Sequence, residues 1–382
     1  MKRNLFLFSV FAASLILLLA IAVFVEVPLD PYLDFQVLYR ADSGVLQGIP
    51  LYDQAAQTQM IADDLGVFVD QVFVLPFPYP PWFAVTTLPL ALLSIDVAVR
   101  MWFWLNVVML LLSVWLLTNG WEPRKRLYSF LAAFFFLPIF GALIVGQYVF
   151  PSLLGMALIL YALRHQQVGL LALGMGLATF KPHIGMFVLI PVFSFLLLRR
   201  DAFGRRAAWA TVLTGMILFF LGFLADGRWP ITYLQALFSF KDVSQCGLCV
   251  SMPLTIAQAG RLGFDQSIWI AGILLAALIA LFIGSKYRMC DDLSVAFFVC
   301  MALLINPYLQ NYDFAFALVP LFYLVGSASS KRDWFWITWI FFLPWIGLGL
   351  LGRAGTPTLL VSVIAMTLII LTRLYKKHTI AL

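Results

Sequence analysis

Apolar runs recur along the whole chain, and short polar breaks separate them. Counted at about 20 residues per crossing and about 1.5 Å per residue, the runs predict twelve membrane spans. They fall near residues 4–26, 95–118, 127–146, 148–163, 167–181, 184–198, 207–225, 267–285, 292–305, 313–326, 334–351 and 357–372. Residues 81–93, PWFAVTTLPLALL, are apolar but too short to cross, and they contain Pro89. They predict an interfacial helix. Between the first span and that segment lies Asp30–Asp53, DPYLDFQVLYRADSGVLQGIPLYD. Its spacing predicts an amphipathic helix, with Asp30 as N-cap, Pro31 at the first turn, and Gly48 and Pro50 as the stop. Steps of three and four place Asp34, Val37, Leu38, Ala41 and Val45 on one face. Gln36, Tyr39, Arg40, Ser43 and Gln47 fall on the other. Asp34 is thus a carboxylate on the apolar side, which costs free energy unless it is paired or used.

Charge sets the orientation. Of the 24 Lys and Arg, seven (Arg40, Arg100, Lys181, Arg228, Lys241, Arg261 and Arg353) fall on one side and the rest on the other. Cytoplasmic segments carry the excess of Lys and Arg, so both termini are expected in the cytoplasm. Counting residues 81–93 as a full span would put the Arg124-Lys125-Arg126 cluster on the wrong side, which favours the interfacial reading. The MKR start followed by an apolar run has no small-residue cleavage site and reads as a retained span. The chain is 63% hydrophobic and 11% charged, with mean hydropathy +0.98, which excludes a large soluble domain. The net charge of +6 then reflects basic loops on one side and not a nucleic-acid partner. The expected architecture is all-α: a single integral membrane domain over residues 1–382, with long outer loops at 27–94 and 226–266.

Unusual polar residues gather at outer helix ends, so chemistry is expected there. Asp30 is accounted for as a cap. Asp34 is not, and an apolar setting suits a carboxylate that must accept a proton. Its structural alternative is an ion pair with Arg40 or another basic residue. Lys181, before Pro182 and His183, reads as a snorkelling lysine or as a contact for a phosphate; His183 could share that second role. Cys246 and Cys249 (CGLC) lie in a loop on the disulfide-permissive side, where a short bridge is compatible with the compartment. No carboxylate cluster suits a metal, and no P-loop, dinucleotide fingerprint, HExxH or GxSxG occurs.

Several stretches in order resemble glycosyltransferase family 87, the polyprenyl-phosphate-mannose-dependent α-mannosyltransferase group of the C-type (GT-C) membrane glycosyltransferases. They are Asp34-Phe-Gln-Val-Leu-Tyr-Arg-Ala with Gly48-Ile-Pro-Leu-Tyr-Asp53, then Tyr79-Pro-Pro81, Gly146-Gln147, Lys181-Pro182, Asn306-Pro-Tyr, and Tyr312-Asp313. The last block departs from the pattern: Gln310-Asn311 stands where many members have a His. The resemblance implies a GT-C helical bundle in the inner or plasma membrane, with its active site on the outer face. It implies a polyprenyl-phosphate sugar as co-substrate, with no cofactor, and a glycolipid or glycan as acceptor. Carried over, Asp34 is the base of an inverting transfer, and Lys181 and His183 are donor-phosphate contacts. Tyr39, Arg40, Tyr79, Gln147, Gln310, Asn311 and Tyr312 are substrate-binding candidates. The competing expectation is a transporter of lipid or lipid-linked sugar, with Asp34 and Lys181 pairing to substrate charges. A transporter should carry polar residues near mid-span on several helices, whereas here they cluster at helix ends.

Overall fold

The computed structural model describes residues 34–72, 74–243, 250–287 and 290–380. The predicted first span, the Asp30 cap and the Cys246–Cys249 pair lie outside these residues. Among them, all regular structure is helical. Helix α1 (Asp34–Leu46) ends as expected where Gly48 turns with φ +80°. Helix α2 (Gln54–Leu65) starts on Asp53, whose carboxylate accepts from Ala56 N, and stops at Gly66 with φ +65°. The interfacial prediction becomes α3 (Pro81–Thr87) continued by a 3-10 turn at Leu88–Leu92. Helix α4 (Ile95–Leu117) follows the predicted second span closely. The span expected at 127–146 is broken into α5 (Pro123–Phe135) and α6 (Leu137–Ile144), bent by 55°. Pro138 explains the break, because it offers no N–H and its ring clashes with the carbonyl four residues back.

The chain continues through α7 (Val149–His165), α8 (Val168–Ala178), α9 (Pro182–Leu198), α10 (Ala202–Gly222) and α11 (Trp229–Val243). Then come α12 (Met252–Ala259), α13 (Phe264–Gly284), α14 (Asp292–Ile305), a 3-10 helix at Asn311–Ala317, α15 (Leu318–Gly326), α16 (Lys331–Leu351) and α17 (Thr358–Ile380). Among the described residues four helices are long and apolar enough to cross a membrane: α4, α16, and the Asp265–Gly284 and Thr358–Lys377 stretches of α13 and α17. The bent α5–α6 pair makes a fifth if it is one span. Helices α7, α9 and α14 are shorter apolar helices, as is α8, whose eleven residues reach only about 16 Å.

The described residues form two compact units. One takes those up to Val108 with Leu143–Gln147 and Phe219–Val243; the other takes Met109–Ala142, Tyr148–Leu218 and those beyond Val243. In the first unit α1 is covered by α2, α3 and the Leu88–Leu92 turn. Burial on several sides overrides the two-face pattern: Gln36, expected on the polar face, is buried, and so is Asp42. The end of α10 and the start of α11 meet α3 through Gly222, where a Cβ would lie 2.8 Å from both Pro81 and Trp229. Trp82 stacks edge-on to Trp229 at 5.4 Å, and Asp226 caps α11 by accepting from Arg228 N and Thr232 Oγ1.

In the second unit α14 is apolar all round and buried from Leu293 to Ile305, as such a helix must be. Cys300 is a packing residue within it. Helices α7 and α8 cross at Gly155 and Gly174. A Cβ on Gly155 would lie 2.7 Å from Gly174 O and from Ala178 N, and one on Gly174 would lie 2.7 Å from Gly155 O. Both obstacles are backbone, so neither can swing aside. Asp292 at the start of α14 pairs with Arg164 at the end of α7 (2.6 Å), and Asp333 near the start of α16 pairs with Arg373 of α17 (3.3 Å). Each carboxylate sits at a positive helix terminus, which adds to the pairing. Gly155→Ala is expected to lower stability by about 1–3 kcal/mol through forced separation of α7 and α8. A reduced thermal midpoint of the detergent-purified protein, beside an unchanged midpoint for Gly169→Ala, where a Cβ meets open space, tests this.

Candidate active site

Asp34 is the first residue of α1 and is partly exposed. Its Oδ2 accepts a hydrogen bond of 2.8 Å from Gln147 Nε2. Gln147 is fully buried, and two residues one turn apart on α4 hold the backbone around it. Trp102 Nε1 donates to Gly146 O at 2.8 Å, and Asn106 Nδ2 reaches Gln147 O at 3.5 Å. Gly146 itself turns with φ +66°, and a Cβ there would fall 2.9 Å from the Cβ of Phe35. The 146–147 turn therefore lies directly against the start of α1, and only glycine permits both the conformation and the approach. Phe35 in turn stacks on Trp102 at 5.8 Å. Asp34 is oriented by an amide that donates to its Oδ2.

The other candidates on this unit take mixed roles. Tyr39 donates its hydroxyl to Leu93 O at 2.7 Å, which ties α1 to the end of the Leu88–Leu92 turn. Arg40 is half-buried, and that burial pulls its guanidinium below its ordinary range. Among the described residues no ion pair joins Arg40 to Asp34. Six helical positions separate them, about 9 Å of rise and a third of a turn, which explains why they do not meet. Tyr79 O accepts from Tyr52 Oη at 2.7 Å, and the Tyr79 ring packs between Phe77 and Phe83.

The second unit holds Lys181, His183, Gln310, Asn311 and Tyr312. Lys181 caps the start of α9 and is only 1% exposed. Its Nζ lies 2.5 Å from Asp313 Oδ1 and 4.9 Å over the Tyr312 ring. Its backbone N donates to Ser152 Oγ at 3.1 Å. Asp313 Oδ2 accepts from Gln310 N at 2.9 Å, so the carboxylate both neutralises Lys181 and closes the 310–313 turn. Asn306 joins the same region to α9 by donating to His183 O at 3.1 Å, while its own carbonyl accepts from Ser251 Oγ. Asn311 is exposed and Tyr312 half-exposed. The structure thus gathers Asp34 with Gln147 in one unit, and Lys181 with Asp313 and Tyr312 in the other. Among the described residues no group of three His, Cys, Asp or Glu side chains is arranged to hold a metal ion.

Sequence reasoning missed Asp313 as the partner of Lys181, and it missed Trp102 and Asn106. Asn106 had a signal: an amide in an otherwise apolar run, buried in the structure, is costly unless it has a job.

A family model of glycosyltransferase family 87 matches residues 77–307, more than half of the chain. The chain belongs to glycosyltransferase family 87. Membership makes the protein a membrane glycosyltransferase. The matched stretch of this family 87 chain contains Tyr79, Gly146-Gln147, Lys181-Pro182 and Asn306; the Asp34 helix and Gln310–Asp313 lie outside it. No curated protein and no solved structure matches the chain.

Removing one member of the buried Lys181–Asp313 pair leaves the other charge uncompensated, at a cost of about 3–5 kcal/mol. Lys181→Met should therefore destabilise by about that much. Adding Asp313→Leu should recover all but the about 1–3 kcal/mol of the unmet Gln310 N–H. A double-mutant cycle on unfolding midpoints in detergent measures both.

Proposed function

We propose that this family 87 glycosyltransferase moves a sugar from a polyprenyl phosphate to a hydroxyl of a glycolipid or glycan, with inversion and with Asp34 as general base. The observation that carries the reading is the Gln147–Asp34 hydrogen bond at 2.8 Å, held by the Gly146 turn and Trp102. The amide donor fixes the direction of one carboxylate oxygen, and a carboxylate so aimed can serve as base toward an acceptor hydroxyl. The acceptor O–H loses its proton to the Asp34 carboxylate as the hydroxyl oxygen bonds to the anomeric carbon. The bond from that carbon to the phosphate oxygen breaks, and polyprenyl phosphate leaves with the electron pair. Direct displacement in one step inverts the anomeric centre.

Lys181, paired with Asp313 in its own unit, stays the candidate contact for the donor's phosphate, a role in which a cation would stabilise the developing charge. Among donors, a hexose or pentose phosphate would make the same two demands, and mannose is what the family resemblance favours. The proposed arrangement is twelve spans in the inner or plasma membrane, both termini cytoplasmic, with transfer on the outer face. The positive-inside distribution of Lys and Arg supports it.

Purified protein reconstituted with a polyprenyl-phosphate sugar and candidate acceptors tests the reading. Asp34→Asn should lower transfer by about 10²–10⁴-fold, the usual range for a general base. Gln147→Leu should lower it by roughly 10–100-fold through loss of orientation. Undiminished transfer by Asp34→Asn sinks the base assignment, and vectorial lipid movement without transfer would point to a transporter instead.

A further inference from the structure

Asp42 is a buried carboxyl that the proposed reaction does not use. It follows Leu38 by four residues and Phe35 by seven, which places it in the middle of the buried stripe of α1. It is 1% exposed, and neither of its oxygens has a hydrogen-bond partner among the described residues. The hydroxyl beside it is that of Thr87. Thr87 Oγ1 also lies within donating distance of Phe83 O (3.1 Å) and Ala84 O (3.0 Å), so its one hydrogen is contested, and its effect on the carboxyl opposes that of burial without outweighing it.

Among the described residues no neighbouring element supplies a cation. Helix α3 and the Leu88–Leu92 turn contain no ionisable side chain. Helix α2 offers Asp63 and Asp64, both exposed, and packs the uncharged Gln57 over Gly44. On α4, which meets α1 through Trp102, Asp96 and Arg100 are exposed. On α1 itself, Arg40 points to nearly the opposite side of the helix, and Asp34 is about 12 Å away along the axis. A bare carboxylate in such a setting would meet the full cost of desolvation.

We propose that Asp42 is carried as the neutral acid and acts as a positioning residue, seating α1 on α3 so that Asp34 at its start meets Gln147. Burial pushes the Asp42 carboxyl well above the usual carboxylate range, in keeping with this. The sign follows. Above about pH 4 the unfolded chain has released this proton while the folded chain retains it. The folded state therefore loses ground by about tenfold in the unfolding equilibrium per pH unit, until the folded carboxyl itself ionises. Asparagine keeps the shape and cannot ionise, so it removes that dependence.

The effect on transfer rests on Asp34 being the base; the protonation does not, and the full-length protein in lipid nanodiscs separates the two. Infrared difference spectra at pH 7 should show a protonated carboxylic acid band that is lost in Asp42→Asn and shifted in Asp42→Glu. The two variants make the assignment independent of either one folding. The wild-type thermal midpoint should fall between pH 5 and pH 9 more steeply than that of Asp42→Asn. The alkaline limb of the transfer profile should move to higher pH in Asp42→Asn. Absence of an Asp42-dependent acid band overturns the neutral acid, and an acid band with identical alkaline limbs in both proteins overturns the positioning role. Failure of the base assignment registers elsewhere, as undiminished transfer by Asp34→Asn.

Discussion

The hydrogen bond from Gln147 to Asp34 depends on one backbone turn. Gly146 takes a left-handed conformation against Phe35, and a single methyl group at that position would collide 2.9 Å from the Phe35 Cβ. With the turn in place, the Gln147 amide reaches Asp34 while Trp102 and Asn106 hold its backbone from α4. The constraint is steric before it is electrostatic. Without the close approach of the turn to α1, the amide would have no carboxylate to orient, and Trp102 would lose its stacking partner beside the same carbonyl.

Apolar surroundings make a buried charge expensive, and the charged residues of this chain meet partners of three kinds. Lys181 and Asp313 neutralise one another in full burial, with the Tyr312 ring under the ammonium. Asp292 and Asp333 lie at helix starts and meet arginines from neighbouring helices. Asp34 meets a neutral amide.

Much of the helix order could be read from hydropathy alone. The runs predicted at 95–118, 148–163 and 334–351 correspond to Ile95–Leu117, Val149–His165 and Lys331–Leu351. Composition reports that transfer to an apolar medium is favourable, and helix is the form in which an isolated segment satisfies its own backbone. What hydropathy does not report is which neighbour covers a face. Gln36 was expected to face water and is buried, because α1 is packed on more than one side. Asp34 was singled out by its apolar setting, yet Asp42, buried more deeply on the same helix, was not, since its i+7 relation to Phe35 matters only once α3 is in position. The partner of Lys181 lies 132 residues along the chain, a pairing that no local pattern encodes.

These long separations bear on how the protein is made. Asp34 leaves the ribosome 113 residues before Gln147 exists. At the usual 5–20 residues per second, that delay is roughly 6–23 s. Lys181 waits still longer for Asp313, 132 residues further on. During synthesis, then, water, headgroups or the insertion machinery must accommodate these two charges in place of their final partners. A chain released before residue 147 would carry the carboxylate without the amide that aims it, and one released before residue 313 would carry Lys181 without the carboxylate that pairs with it.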